Sequence, residues 1–236
     1  MTAIRKVLED LQGLETRRAL WAYITDFYHI RGVKMISYHA VNAGGQSDGI
    51  ATDGFPQAWV DLYRSENLER IDPIPQLAAN MARPFYWHEV ETLCPLTEDN
   101  LRYIRIMREA HLGDGLAFDV FGPNNRNAYV GLGFGVERVE LPVEEVFVLQ
   151  CVAQAGHLRY CEIHNPKPDV PALTPRETEV LDWMAQGKSN SVIGDILGMS
   201  RHTVDTHVRS IYEKLDVRDR TTAAIKGLGH GLIHLT

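Results

Sequence analysis

The chain has 236 residues, of which 44% are hydrophobic, and its 24 Lys and Arg against 31 Asp and Glu give a formal net charge of −7. This length suits two modest domains, no apolar run approaches the roughly 20 residues that a membrane-spanning helix needs, and charged residues interrupt any secretory pattern near the start. The three cysteines have no C-x-x-C spacing, which indicates neither a disulfide framework nor a zinc site, so we expect a reduced, cytoplasmic protein with no membrane partner.

Residues 1–165 mix helical and strand patterns. Apolar residues at helical spacing predict helices over residues 4–28 (interrupted near Gly13), 56–64, 75–81, 97–110 and 143–160. Strands are predicted over residues 33–41, 116–121 and 128–136. This mixture predicts an α+β domain, an α-β-α sandwich with a central antiparallel sheet. On the last helix we expect an apolar face formed by Val146, Leu149, Val152 (or Ala153) and Leu158.

A domain boundary is expected directly after this helix. Pro166, Pro168 and Pro171 cannot continue a helix and favour an extended spacer. We therefore expect a first domain over residues 1–163, a Pro-rich linker over residues 164–172 and a second domain over residues 173–236. The second domain holds 8 basic and 8 acidic side chains, so the whole acidic excess of the chain lies before it.

The second domain carries two short helices in succession. Ser189 caps a helix through Ile193, Ile196 and Leu197 that stops at Gly198. Ser200 caps the next, whose apolar stripe is Val204, Val208 (or His207), Ile211 and Leu215. Helices joined by such a Gly-containing turn predict a helix-turn-helix, although the helical pattern alone fits an ordinary small bundle equally well.

The order of the motifs distinguishes these alternatives. A helix opens at Leu173-Thr174-Pro175-Arg176-Glu177 and ends at Gly187-Lys188-Ser189-Asn190, and Thr203-Val204-x-x-His207 and Lys214-Leu215 follow. Over about sixty contiguous residues this string resembles the LuxR-type (GerE-like) DNA-binding domain. The resemblance implies an all-α, four-helix helix-turn-helix domain.

The resemblance also implies roles for individual residues. Base contacts would come from Asp205, Thr206 and Arg209, and Arg to guanine is the commonest specific contact. Phosphate contacts would come from Lys188, Ser189 and Arg201, with Thr203 in the same interface. The implied partners are two-fold symmetric promoter DNA, a second copy of the chain and RNA polymerase.

Two helices are candidates for the dimer surface. One is the helix over residues 143–160, and the other is the final helix over residues 221–231, where Ala224, Leu228 and Ile233 would otherwise be poorly covered. The alternative is that these apolar residues simply complete the core of each domain.

An aromatic cluster marks a candidate binding site in the first domain. It runs Phe55-Pro56-x-x-Trp59-x-x-x-Tyr63, followed by Asp72-Pro73-Ile74 and Trp87. Trp59 and Tyr63 share a helix face, and the proline forces Asp72 out of the helical region. An acceptor carboxylate with indole and phenol donors suits a mostly apolar pocket that holds an amide or a lactone, although such aromatics are also common in cores.

Order and spacing here resemble the autoinducer-binding domain of the LuxR family, and Gly115 matches a family glycine. The resemblance implies that Asp72 accepts the N–H of an N-acyl homoserine lactone. It further implies that Trp59 donates to the lactone carbonyl, while Tyr63 and Trp87 wall the pocket. Phe55, Pro73 and Ile74 complete the expected ligand-binding set.

Three departures from the family pattern bear on the ligand. Phe55 stands where some members carry a tyrosine, Gly131 and Gly133 stand near a hydroxyl-bearing position, and Asp119 replaces a common proline. We expect these changes to leave one side of the pocket less polar and roomier. That favours an unsubstituted, branched or aryl acyl group over a 3-oxo chain.

The resulting prediction is a ligand-responsive transcriptional regulator that binds an N-acyl homoserine lactone and, as a dimer, promoter DNA. One alternative is a solo receptor that senses a different small molecule or works without ligand. Another is a phosphorylation-dependent response regulator, disfavoured because no early acidic pair follows a strand. Catalysis is not expected: no G-x-S-x-G, P-loop or H-E-x-x-H motif is present, and we predict no cofactor, metal or catalytic residue.

Overall fold

A computed structural model of the chain describes residues 2–41, 47–164 and 172–233. These residues form two compact units, one ending at His164 and the other formed by the residues described from 172 onward. The first unit is built around a five-stranded sheet of order β2-β1-β5-β4-β3 in which every pair is antiparallel. Its strands are β1 (Met35–Val41), β2 (Ser47–Asp53), β3 (Phe85–Tyr86), β4 (Gly115–Val120) and β5 (Ala128–Gly133).

Helices cover both faces of this sheet. One face packs against α1 (Thr2–Gln12), α2 (Arg17–His29) and α7 (Val143–His164), and the other against α3 (Gln57–Ser65), α4 (Pro73–Asn80), α5 (Val90–Leu93) and α6 (Glu98–Glu109). Strand alternation sorts the side chains: Leu116, Phe118 and Val120 join the core beneath α2 and α7, whereas Ala117 joins the core beneath α3–α6. The predicted α-β-α sandwich is confirmed.

Local capping explains where several helices begin. The Thr16 hydroxyl accepts from the Ala19 amide and starts α2, and Thr97 forms a capping box with Asn100 at the start of α6. Strands β2 and β3 were not predicted. One predicted apolar position is wrong: Leu158 of α7 is exposed, although Leu149, Val152 and Ala153 are buried as predicted. The helix α7 reaches His164, and most of the predicted linker, residues 165–171, lies outside the described residues.

The second unit consists of four helices: α8 (Pro175–Ala185), α9 (Asn190–Leu197), α10 (Arg201–Leu215) and α11 (Arg220–Gly229). Its core contains the predicted stripe of α10, namely Val204, Val208, Ile211 and Leu215, together with Ile193 of α9. A left-handed Gly198 ends α9, and Ser200 caps α10 through the Thr203 amide.

Apolar side chains of this unit differ in how far they are buried. Ile196 is 44% exposed, because it lies on the outer side of α9. Ile233 is only 4% exposed and packs, together with the half-buried Leu228, into the core of the unit. Neither Leu228 nor Ile233 is therefore left uncovered, and the exposed apolar side chain of α11 is Ile225.

A buried carboxylate connects α8 to α10. Glu177 completes the capping box with Thr174, accepts from the Ser210 hydroxyl at 2.6 Å and pairs with the Lys214 ammonium at 2.7 Å. Burial opposes ionisation, but the hydrogen bonds from Lys214, Ser210 and Thr174 outweigh it and lower the pKa of Glu177 to about 2. The carboxylate is therefore charged at neutral pH, and it holds the start of α8 against the end of α10.

Candidate ligand pocket and nucleic-acid interface

A pocket of about 230 Å³ opens between the sheet and the helices α3, α4 and α6; we call it the Asp72 pocket. Six of the eight predicted ligand residues line it: Phe55, Trp59, Tyr63, Asp72, Ile74 and Trp87. The other two do not line the pocket but lie next to residues that do. Pro73 is the first residue of α4, and Gly115 lies against the Trp87 ring.

Gly115 determines how close Trp87 can come to the strand. A Cβ added at Gly115 would stand 2.5 Å from a ring carbon of Trp87, so only glycine allows this packing. The turn that carries Trp87 is held by Asp114, whose carboxylate accepts from the His88 amide at 3.1 Å and contacts His88 Nδ1 at 2.6 Å. Trp87 is 7% exposed, and its Nε1 is buried with no hydrogen-bond partner among the described residues.

The carboxylate of Asp72 is the electrostatic centre of the pocket. It caps α4 by accepting from the Ile74 amide at 2.9 Å, and its other oxygen accepts from the Tyr63 hydroxyl at 3.1 Å. Burial raises the pKa of Asp72 to about 6, against the opposing effect of hydrogen bonds from Ile74, Tyr103 and Tyr63. The group is therefore an acceptor that still has room for one more donor, such as an N–H.

Several further polar side chains line this pocket, and sequence reasoning did not find the three of them nearest its buried end: Tyr103, Tyr129 and Ser37. A Cβ at Gly131 would lie 2.5 Å from the Tyr129 hydroxyl and 2.6 Å from the Ser37 hydroxyl, so both groups gather over that glycine. The expectation that Gly131 leaves a less polar and roomier wall is therefore wrong. The missing side chain makes space for two hydroxyls from neighbouring positions.

The candidate DNA-contacting side chains lie on α10 and at the start of α9. Arg201, Thr203, Thr206 and Arg209 are exposed, as are Lys188 and Ser189. Ion pairs among residues 172–233 join Arg176 to Glu179 and Lys214 to Glu177, and neither involves the three predicted basic contacts. Ser189 also caps α9 through the Val192 amide, and Thr206 donates to the His202 carbonyl at 3.0 Å.

Asp205 differs from these residues because it is half-buried and already engaged. Its carboxylate accepts from the Asn190 amide nitrogen at 2.7 Å, and the Asn190 oxygen accepts from Arg220 at 3.0 Å. Arg220 also donates to the Lys188 carbonyl. This chain ties α10 to α9 and α11, and no local sequence pattern signals it.

Comparison with known proteins identifies both units. Residues 16–160 match the family model described as "Autoinducer binding domain", and residues 171–226 match "Bacterial regulatory proteins, luxR family". The chain belongs to the LuxR family of quorum-sensing transcriptional regulators.

Relatives of this LuxR-family chain support the assignment. It is 33% identical over 186 residues to the "HTH-type quorum sensing-dependent transcriptional regulator RpaR" of Rhodopseudomonas palustris, covering 78% of this chain and 74% of that protein. It is 30% identical over 182 residues to the "Transcriptional activator protein BjaR1" of Bradyrhizobium diazoefficiens, covering 76% of this chain and 74% of that protein. The crystal structure of SdiA from Escherichia coli has the same fold, with a TM-score of 0.76, 21% identity and 99% of each chain covered.

These matches bear on the alternatives for this LuxR-family protein. The family consists of transcription regulators and not of enzymes, as the sequence predicted. An autoinducer-binding domain occupies residues 16–160, where a response regulator would carry its phosphorylated domain, so that alternative is wrong. Among the described residues, no cluster of three potential metal ligands occurs, and no helix is long and apolar enough to cross a membrane.

Proposed function

We propose that this protein binds an N-acyl homoserine lactone in the Asp72 pocket and, as a homodimer, a two-fold symmetric promoter site. The observation that carries the ligand assignment is the buried Asp72 carboxylate, which faces aromatic walls and keeps acceptor capacity. An acyl homoserine lactone offers an amide N–H for that acceptor, a lactone carbonyl for the Trp59 indole and an acyl chain for the apolar walls.

The second carbonyl of such a ligand needs a donor on the opposite side. Tyr129 and Ser37 bring hydroxyls to Gly131, on the face of β5 that lines the pocket, and Trp87 Nε1 has no partner there among the described residues. We assign the amide carbonyl to this group, because Phe55 has no hydroxyl to offer. With hydroxyls present, the structure gives no reason to disfavour a 3-oxo chain.

The test of ligand identity is mass spectrometry of the small molecule that co-purifies from a host making several acyl homoserine lactones. Recovery of one such lactone, absent from preparations of Asp72→Ala that still fold, supports the proposal. A protein that folds and binds DNA equally well with and without any lactone would instead establish the solo receptor.

For DNA, we propose that Arg209 and Thr206 read base edges while Lys188, Ser189, Arg201 and Thr203 contact phosphates and sugars. Asp205 is proposed to reach a base while Asn190 orients it. We place the DNA-binding domain at residues 173–236, joined through residues 164–172 to a ligand-binding domain over residues 1–163. Because its target is promoter DNA, we place the protein in the cytoplasm, with RNA polymerase as its functional partner.

For the homodimer, we propose that α7 provides the contact surface. Val143, Phe147, Cys151 and Leu158 are spaced so that they lie on one side of this helix, and all four are exposed. Phe147 is 61% exposed and Val143 is 66% exposed, which is costly for side chains of this kind unless a partner covers them. One recognition helix reads few bases, so two copies about one helical turn apart provide the needed specificity.

A further inference from the structure

A second and larger cavity lies on the opposite face of the sheet, under α2 and α7; we call it the Trp21 cavity. Its volume is about 380 Å³, within the range of about 300–1,000 Å³ that small-molecule sites occupy. The sheet separates it from the Asp72 pocket, although Ile50 on the edge strand β2 lines both. The proposed function makes no use of this space.

The polar side chains in the interior of the Trp21 cavity already have hydrogen-bond partners. The Tyr28 hydroxyl donates to the Leu149 carbonyl at 3.0 Å. His157 Nε2 lies 2.7 Å from the Arg126 carbonyl, which can only accept, so Nε2 carries the hydrogen. Nδ1 of the same ring is then the acceptor for the Tyr38 hydroxyl at 2.7 Å. The remaining walls are apolar or aromatic, so the interior suits a hydrocarbon chain.

The mouth of the cavity is different, because it holds two arginines beside a single carboxylate that is already engaged. Asp48 accepts from the Tyr160 hydroxyl at 3.3 Å and from His164 at 3.1 Å. Arg17 donates to the other nitrogen of His164 at 3.2 Å and also lies at the Tyr160 hydroxyl, which leaves N–H groups of its guanidinium for a further acceptor. Arg18 forms no ion pair with a described residue. The mouth is therefore suited to an anionic head group.

We propose that the Trp21 cavity binds a medium-chain fatty-acid carboxylate, with its alkyl chain between α2 and α7 and its head group at Arg17 and Arg18. Apolar side chains that line an unfilled space lack packing partners and contribute less to the stability of the core around them. A chain that fills the cavity therefore stabilises the first unit, and the two arginines select an anion over a neutral amphiphile. This site is independent of the lactone assignment, because all of its lining residues except Ile50 of the edge strand are absent from the Asp72 pocket.

Trp21 provides a direct reporter, since the other tryptophans line the Asp72 pocket or belong to the second unit. The experiment titrates the full chain with 11-bromoundecanoate, whose bromine quenches a nearby indole, with and without saturating N-octanoyl homoserine lactone. We expect saturable quenching that persists in the presence of the lactone and is lost in Trp21→Phe. Quenching that survives in Trp21→Phe, or that the lactone displaces, would overturn the proposal.

Filling variants test the location of the chain. Ala153→Phe fills the cavity from α7, and Ala51→Phe fills it from the half-exposed rim on β2, so that one variant remains informative if the other does not fold. Ala22→Phe adds the same side chain on the exposed side of α2 and is the matched control. Saturable quenching should disappear in the folded filling variant and persist in the control. Equal quenching in all of them would show that the probe binds elsewhere.

The head group is tested with the double variant Arg17→Gln and Arg18→Gln. Because charge-assisted hydrogen bonds are lost, the affinity for 11-bromoundecanoate should fall by about tenfold or more. The neutral probe 11-bromoundecanol should bind the double variant and the unmodified chain with equal affinity. If both probes weaken alike, or neither does, the assignment of a carboxylate to this mouth is wrong.

Discussion

Replacing Asp72 with asparagine tests the ligand assignment most sharply. Asparagine keeps the shape of the side chain, and its oxygen can still accept from the Ile74 amide that caps α4. The substitution removes the negative charge, so the bond to a ligand N–H loses its charge assistance. We expect a cost of about 1.5–3 kcal/mol, or roughly one to two decades in the dissociation constant for N-octanoyl homoserine lactone.

The pKa of Asp72 predicts how strongly ligand affinity changes with pH. With a pKa of about 6, the carboxyl is about nine-tenths ionised at pH 7 and about one-tenth ionised at pH 5. If only the ionised form accepts the ligand N–H, affinity falls roughly tenfold between pH 7 and pH 5. His39, which also lines the pocket, stays neutral across this range, because burial lowers its pKa to about 4.

The assay is isothermal titration calorimetry with N-octanoyl homoserine lactone at pH 5, 6 and 7. Asp72→Asn should bind weakly and with no pH dependence, whereas Asp61→Asn, which changes an exposed carboxyl on α3, should behave like the unmodified chain. A pH profile that survives in Asp72→Asn would refute the reasoning. The raised pKa also means that the charged Asp72 costs folding stability as pH rises from about 4 to 6, so Asp72→Asn should not destabilise the unliganded protein at pH 7.

Three further predictions concern the DNA-binding surface, the dimer surface and the hydroxyl side of the Asp72 pocket. Arg209→Ala should reduce the free energy of DNA binding by about 1–3 kcal/mol and relax the base preference at one position of the selected site. Lys188→Ala should weaken binding to all DNA sequences alike and reduce the slope of log affinity against log salt concentration by about one. A selected motif that is unchanged in Arg209→Ala would contradict the base contact. Phe147→Glu should yield a folded monomer by analytical ultracentrifugation, and an unmodified chain that stays monomeric with ligand and operator present would refute the dimer. Tyr129→Phe should weaken lactone binding by about 1 kcal/mol at unchanged melting temperature, measured by calorimetry and circular dichroism, and an unchanged affinity would remove Tyr129 from the site.

Features that depend on neighbouring residues in sequence could be predicted from the sequence. The starts of α6, α9 and α10 follow from Thr97, Ser189 and Ser200, each of which hydrogen-bonds an amide three residues later. Strand β2 was missed because Ser47-Asp48-Gly49 is poor in β-forming residues, and the strand exists only through its pairing with β1. Leu158 was predicted on the apolar face of α7 but is exposed, because helical spacing does not say how wide the buried face of a helix is.

The pocket was predicted in the same uneven way. Asp72, Trp59 and Trp87 were predicted to line a pocket because their order and spacing resemble the autoinducer-binding domain, and all three line it. Tyr129 and Ser37 meet only because β1 pairs with β5 in a register that sets Ser37 opposite Gly131. Such a register is decided by the packing of the whole sheet, so no local pattern places these two hydroxyls together.

The walls of the Asp72 pocket are also part of a core. Trp59, Ile74, Trp87, Tyr103 and Tyr129 all belong to the cluster that packs α3–α6 against the sheet. A signal molecule in this space would pack against these side chains as part of the core. At 100 times its dissociation constant it would raise the free energy of unfolding by about 2.7 kcal/mol. Chains made before the signal accumulates would then open more often and be more accessible to proteases. The number of intact regulator molecules would then depend on the concentration of the signal. The rate of protein turnover would set how quickly the response decays when the signal is removed.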